Sequence, residues 1–94
     1  MTKDEARTLA IAYIKSKETE AGCDLVLLDS KTSERDFGWV FFYDSKQHVE
    51  TGEFRYALAG NAPIVVTRAE GELHETGTAL PLDHYLKQFE GRAH

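Results

Sequence analysis

The sequence predicts an α+β fold: an antiparallel β-sheet of about four strands with an N-terminal and a C-terminal helix packed on it, in the order helix, two strands, short helix, two strands, helix. Three observations carry this prediction. Apolar residues at three- and four-residue spacing occur near the two ends, at Ala6, Leu9, Ala10, Tyr13 and Ile14 and at Leu82, Tyr85, Leu86 and Phe89. Between them lie short runs bounded by polar residues, at 25–28, 39–43, 64–68 and 72–76, each of strand length. The charged loop at 31–36 that joins the first two runs is too short for a parallel crossover, so those runs are expected to pair antiparallel.

The elements follow from local chemistry. Thr2 with Glu5 forms a capping box, so a helix starts at Lys3, and Gly22 suits the left-handed position that closes it. Leu25-Val26-Leu27-Leu28 is the first strand, and 31–36 reads as a charged loop leading to the second, Trp39-Val40-Phe41-Phe42-Tyr43. That run is β-branched or aromatic throughout and reads as a central strand, with Trp39, Phe41 and Tyr43 on one face and Val40 and Phe42 on the other. If both helices cover one face, three aromatics are left partly exposed; if both faces are covered, or Phe37 and Phe54 close the second, no such patch exists. Asp44-Ser45-Lys46-Gln47 reads as a turn, and 48–51 as a short edge strand or an extended connection.

A short helix with Phe54, Ala57 and Leu58 inward is expected to end at Gly60. Gly60, Asn61 and Pro63 then set the backbone entering Ile64-Val65-Val66. The runs at 64–68 and 72–76 flank Ala69-Glu70-Gly71, a three-residue hairpin connection read as a type I turn with a G1 bulge. Within the second run, alternation puts His74 on one side and Leu73 with Glu75 on the other, so one charged residue faces the core side. Pro81 opens the last helix and Gly91 stops it. No repeat, linker or low-complexity segment interrupts this order, and 1–94 reads as a single domain.

Composition narrows the function classes. Ninety-four residues with 41% apolar, 11% aromatic and 29% charged content describe one globular domain with a single core. The longest apolar run is far below the roughly 20 residues that span a bilayer, and the start lacks a signal-peptide core, so a cytoplasmic protein without a membrane partner is expected. One cysteine, Cys23, rules out an internal disulfide and reads as a small buried hydrophobe. The net charge of −5 is uneven: positive and negative charges cancel over residues 1–22, while 23–60 carry −3 and 61–94 carry −2. Without a Lys/Arg cluster, nucleic-acid binding has no electrostatic source, whereas an acidic surface suits a basic protein partner.

The chemistry-bearing residues form no recognisable reactive constellation. His48, His74, His84 and His94 are scattered on separate elements with no paired spacing, which argues against a metal site. No nucleophile elbow, phosphate-cradling glycine pattern or nucleophile beside a base is present, so no catalytic residue and no cofactor are assigned. The alternation of Asp44, Lys46, His48 and Glu50 fits no calcium loop.

Several segments together resemble the immunity protein 35 (YrhB-like) family of small bacterial proteins. They are Gly38-Trp39-Val40-Phe41-Phe42-Tyr43, Glu50-Thr51-Gly52-Glu53, the stretch from Leu58 to Val66 with its Gly60-Asn61-Ala62-Pro63 turn, Gly71-Glu72, Gly77-Thr78-Ala79 and the final amphipathic helix. They cover roughly residues 37 to 90 in the family's order. After the strand at 64–66 the family pattern carries an Asp, where this chain has Thr67-Arg68-Ala69. The resemblance implies a non-enzymatic immunity protein, encoded beside a toxin and neutralising it in the cytoplasm. It supplies no catalytic residues. The alternative it implies is a small chaperone-like stress protein that binds unfolded clients. For a toxin with a basic contact surface, the expected contacts are the carboxylates of Asp36, Asp44, Glu50, Glu53, Glu70 and Glu72, with Tyr43, Phe54 and Tyr56 as apolar anchors. The chain is expected as a monomer or, through an edge strand, a weak homodimer.

Overall fold

The computed structural model describes residues 1–52, 62–77 and 81–90. Helix α1 spans Lys3–Ala21. Its start is the anticipated capping box, in which the Glu5 N–H donates to Thr2 Oγ1 at 3.2 Å and the Thr2 N–H donates to Glu5 Oε1 at 2.9 Å. Its end is Gly22 at φ +71°, whose N–H donates to the Glu18 carbonyl. Strands β1 (Leu25–Leu27), β2 (Ser33–Arg35), β3 (Gly38–Phe41) and β4 (Tyr43–Ser45) follow. Next come helix α2 (Lys46–Thr51), strands β5 (Ile64–Thr67) and β6 (Leu73–Glu75), and helix α3 (Leu82–Glu90).

The strands make two antiparallel sheets, one of four strands in the order β2-β3-β5-β6 and one of two, β1-β4. The α+β class and the terminal helices therefore stand, and the hairpin of β5 and β6 is present with Val65 opposite His74. Its connection differs from the anticipated three residues. Thr67 donates its N–H to the Glu72 carbonyl and accepts from the Gly71 N–H, so the loop holds four residues, 68–71, and no bulge is needed.

The first half departs further from expectation. The run 39–43 is divided at Phe42, and β1 pairs with its second part, Leu27 opposite Tyr43, instead of with the Trp39 segment. The partner of β3 is β2, drawn from residues read as a charged loop, with Glu34 opposite Trp39. An outer strand with exposed Glu34 and Arg35 needs little apolar content, because its stability comes from the ladder with β3. Residues 46–51 are helical, not a turn and an edge strand. The Ser45 hydroxyl accepts the His48 N–H at 3.1 Å and Gly52 closes the far end in a left-handed conformation, so cap chemistry prevails over the β-branched Val49 and Thr51. The expected helix at 54–60, with Gly60 and Asn61, and the Gly91 stop lie outside the described residues.

The helices cover opposite faces of the four-stranded sheet. On one side Ala6, Ala10 and Ile14 of α1 pack with Leu25, Trp39, Phe41, Ile64 and Val66. On the other, Leu86 and Phe89 of α3 pack with Phe37, Val40 and Val65. The predicted alternation survives the break at Phe42, since Tyr43 joins the first cluster and Phe42 the second. Trp39 and Phe41 are consequently buried, and the aromatic patch that a one-sided arrangement would expose does not form. Leu9, placed on the buried stripe by its spacing, is 37% exposed; the small Ala6 and Ala10 make the close approach to the sheet instead.

Candidate functional site

The register assembles the anticipated contact residues at two opposite ends of the sheet. Gly38 lies opposite Thr67, which brings the β2–β3 turn beside the β5–β6 loop. Exposed Asp36 sits in the turn, exposed Glu70 in the loop and exposed Glu72 at the foot of β6. The Arg68 N–H donates to the Phe37 carbonyl at 2.8 Å and locks the two connections together. Its guanidinium donates to Glu34 Oε2 at 3.1 Å and to the Arg35 carbonyl at 2.9 Å, and it lies 4.5 Å over the Trp39 ring. Asp36 and Glu70 therefore lie on the two connections that Arg68, itself already engaged, ties together, with Glu72 just beyond the loop. Glu72 Oε2 is 3.2 Å from His74 Nε2, an ion-pair distance without hydrogen-bond alignment, and the His74 ring rests on Phe89 with centroids 5.1 Å apart.

At the other end, Tyr43 and Asp44 lie on β4 and Glu50 on α2. Asp44 is committed locally: Oδ1 accepts the Ser45 N–H at 2.7 Å and Oδ2 is 2.5 Å from His48 Nδ1, so its carboxylate organises the start of α2. Exposed Glu50 lines an open groove of about 410 Å³ with Cys23, Asp24 and Lys46. Glu53, Phe54 and Tyr56 lie outside the described residues.

Tyr43 belongs to a cluster that the spacing of single elements did not reveal. Glu75, the charge expected on the core side of β6, is met there by α1. The Tyr13 hydroxyl donates to Glu75 Oε1, and Lys17 Nζ stands 3.3 Å from the same oxygen and 5.4 Å from the Tyr13 ring centroid. Tyr13 and Lys17 are four residues apart and so share a helix face, and this spacing, with the alternation that turned Glu75 to the core side, is the sequence signal the cluster carried. The Tyr13 hydroxyl, then Lys17, hold the Glu75 carboxyl below the usual carboxylate range. Burial first, and the Glu75 contact second, push the Tyr13 phenol up. Burial is also the main cause raising Tyr43, whose phenol feels the charges of Lys17 and Glu75. Among the described residues no group of three His, Cys, Asp or Glu is placed to hold a metal. Among them, too, no helix is long and apolar enough to cross a membrane.

These features define a small acidic α+β sandwich with exposed carboxylates on its turns and a Tyr13–Lys17–Glu75 cluster between α1 and β6. Comparison with known proteins then identifies its kin. The family described as immunity protein 35 matches residues 4–88, and the chain belongs to that family. The match includes α1, beyond the segment from 37 to 90 on which the resemblance rested. A curated relative in Escherichia coli strain K12, the uncharacterized protein YrhB, is 34% identical over 79 residues, 84% of each chain. No solved structure matches.

Proposed function

We propose that this chain is a non-enzymatic immunity protein that binds a protein toxin encoded beside it and neutralises it in the cytoplasm by occluding it. The observation that carries this reading is the family match across residues 4–88. The net charge of −5 and the exposed carboxylates of Asp36, Glu50, Glu70 and Glu72 support a toxin with a basic contact surface, drawn in by long-range attraction. A chaperone-like role would draw on exposed apolar surface, and the burial of Trp39 and Phe41 favours the toxin-binding reading over it.

The test is association of the purified chain with the toxin domain encoded by the adjacent reading frame. Reversing Asp36, Glu70 and Glu72 to Lys together is expected to slow association by about tenfold or more at low salt, with the difference shrinking as salt rises. An association rate indifferent to both salt and charge reversal removes the electrostatic component. Absence of any complex between the two wild-type proteins overturns the immunity reading.

A further inference from the structure

We infer that Tyr13, Lys17, Tyr43 and Glu75 form a preassembled anchor site that receives an arginine side chain of the protein partner. This rests on the immunity reading, and it adds residues that the acidic turns do not contain. The four side chains come from α1, β4 and β6. Tyr13, Lys17 and Glu75 are in direct contact, and Tyr43 packs with Tyr13 against the same core cluster. The tyrosine rings pack against the first core cluster, so their positions are set by the fold and little side-chain entropy remains to be lost on binding.

The site already does internally what it is inferred to do for a partner. It holds a cation, the Lys17 ammonium, against the Glu75 carboxylate and the Tyr13 face. Tyr13 and Lys17 both engage Oε1, and among the described residues Oε2 makes no hydrogen bond or ion pair. The Glu75 side chain is 57% exposed, so that oxygen is open to a donor from outside. Glu20 Oε2 lies 3.8 Å from Lys17 Nζ and adds a second carboxylate near the site. A guanidinium suits this arrangement better than an ammonium, because its planar fork donates to carboxylate oxygens while its face stacks on an aromatic ring. Lys17 is then the resident cation with which the incoming arginine competes.

Binding to the adjacent-frame toxin domain, measured with separate association and dissociation rates, tests this. Glu75→Gln and Tyr43→Ala are expected to weaken the complex about tenfold or more, chiefly through faster dissociation, as for desolvated interface anchors. Tyr13→Phe, which keeps the ring but removes the hydroxyl that fixes the Glu75 carboxylate in place, is expected to weaken it about threefold to tenfold. Lys17→Met is expected to tighten binding several-fold, the opposite of what a merely structural ion pair would do. Thermal midpoints of Glu75→Gln, Tyr13→Phe and Lys17→Met should stay within about 4 °C of wild type, since exposed pairs contribute little to stability.

If wild type binds while Glu75→Gln and Tyr13→Phe bind within about twofold of it, the anchor is overturned and the immunity reading stands. Weakening by Lys17→Met to the same extent as Glu75→Gln also overturns it. No binding by wild type overturns the immunity reading and the anchor with it.

Discussion

Gly38 is where β3 comes too close to β5 for any side chain. Its φ is +151°, which L residues rarely adopt, and a Cβ there would collide with the Val66 carbonyl and come within 3.0 Å of Arg68 N and Thr67 Cα. Those neighbours are backbone atoms of the paired strand, so relief requires moving β5 away from β3 at the centre of the four-stranded sheet. Gly38→Ala should cost about 1–3 kcal/mol for the strained backbone. Displacing packed strands adds about 1–3 kcal/mol. At roughly 4–8 °C per kcal/mol in a domain of this size, even the lower total of about 2 kcal/mol lowers the melting temperature by about 8 °C or more. Gly22→Ala supplies the control, because Gly22 has a left-handed φ of +71° but nothing within 4 Å of an added Cβ. It should cost only about 1 kcal/mol. Urea and thermal unfolding followed by Trp39, the sole tryptophan, measure both. A Gly38→Ala protein no less stable than Gly22→Ala refutes the reasoning, since both positions carry a positive φ and only Gly38 adds the backbone collision.

Three further outcomes follow from the same contacts. Phe89→Ala strips the α3 face where Phe89 meets Phe37 at 5.7 Å and His74 at 5.1 Å. It should lower stability by about 3–5 kcal/mol, read as a fall in urea midpoint at unchanged slope. Arg68→Met removes the cation over Trp39 and the bonds to Glu34 and the Arg35 carbonyl. It should shift tryptophan emission and cost about 1 kcal/mol, and an unchanged emission spectrum contradicts the stacked geometry. Glu75 gives a pH signature. Its folded carboxyl is held low by the Tyr13 hydroxyl and Lys17, so its contribution is fully present above the unfolded carboxyl pKa of about 4.3 and is lost as pH falls through the lower folded value. The stability gap between wild type and Glu75→Gln should therefore be level from pH 7 to about 5 and shrink as the pH falls below the unfolded carboxyl pKa of about 4.3. A gap of equal size above and below that value refutes this.

What the sequence determined by itself was whatever is decided within three or four residues. Thr2 with Glu5 and Gly22 set both limits of α1, because a cap bond and a left-handed glycine act on their immediate neighbours. The alternation of Trp39 to Tyr43, the hairpin of β5 and β6 and the buried stripe of α3 were legible for the same reason. The same cap chemistry was present at Ser45 and Gly52, but β-branched Val49 and Thr51 pointed the other way, and α2 was missed.

The tertiary structure decided which strands pair, which face each helix covers and where the charges gather. Residues 33–35 carry almost no strand signal, since an edge strand draws its stability from a ladder formed with a distant neighbour. Asp36, Glu70 and Glu72 were identifiable as exposed carboxylates, yet their separation from Tyr43, Asp44 and Glu50 depends on the β3–β5 register. The meeting of Tyr13 and Lys17 with Glu75, 62 positions from Tyr13, is of the same kind. Local hydrogen bonding and hydrophobic period are written along the chain, whereas contacts across it exist only after burial has chosen the neighbours.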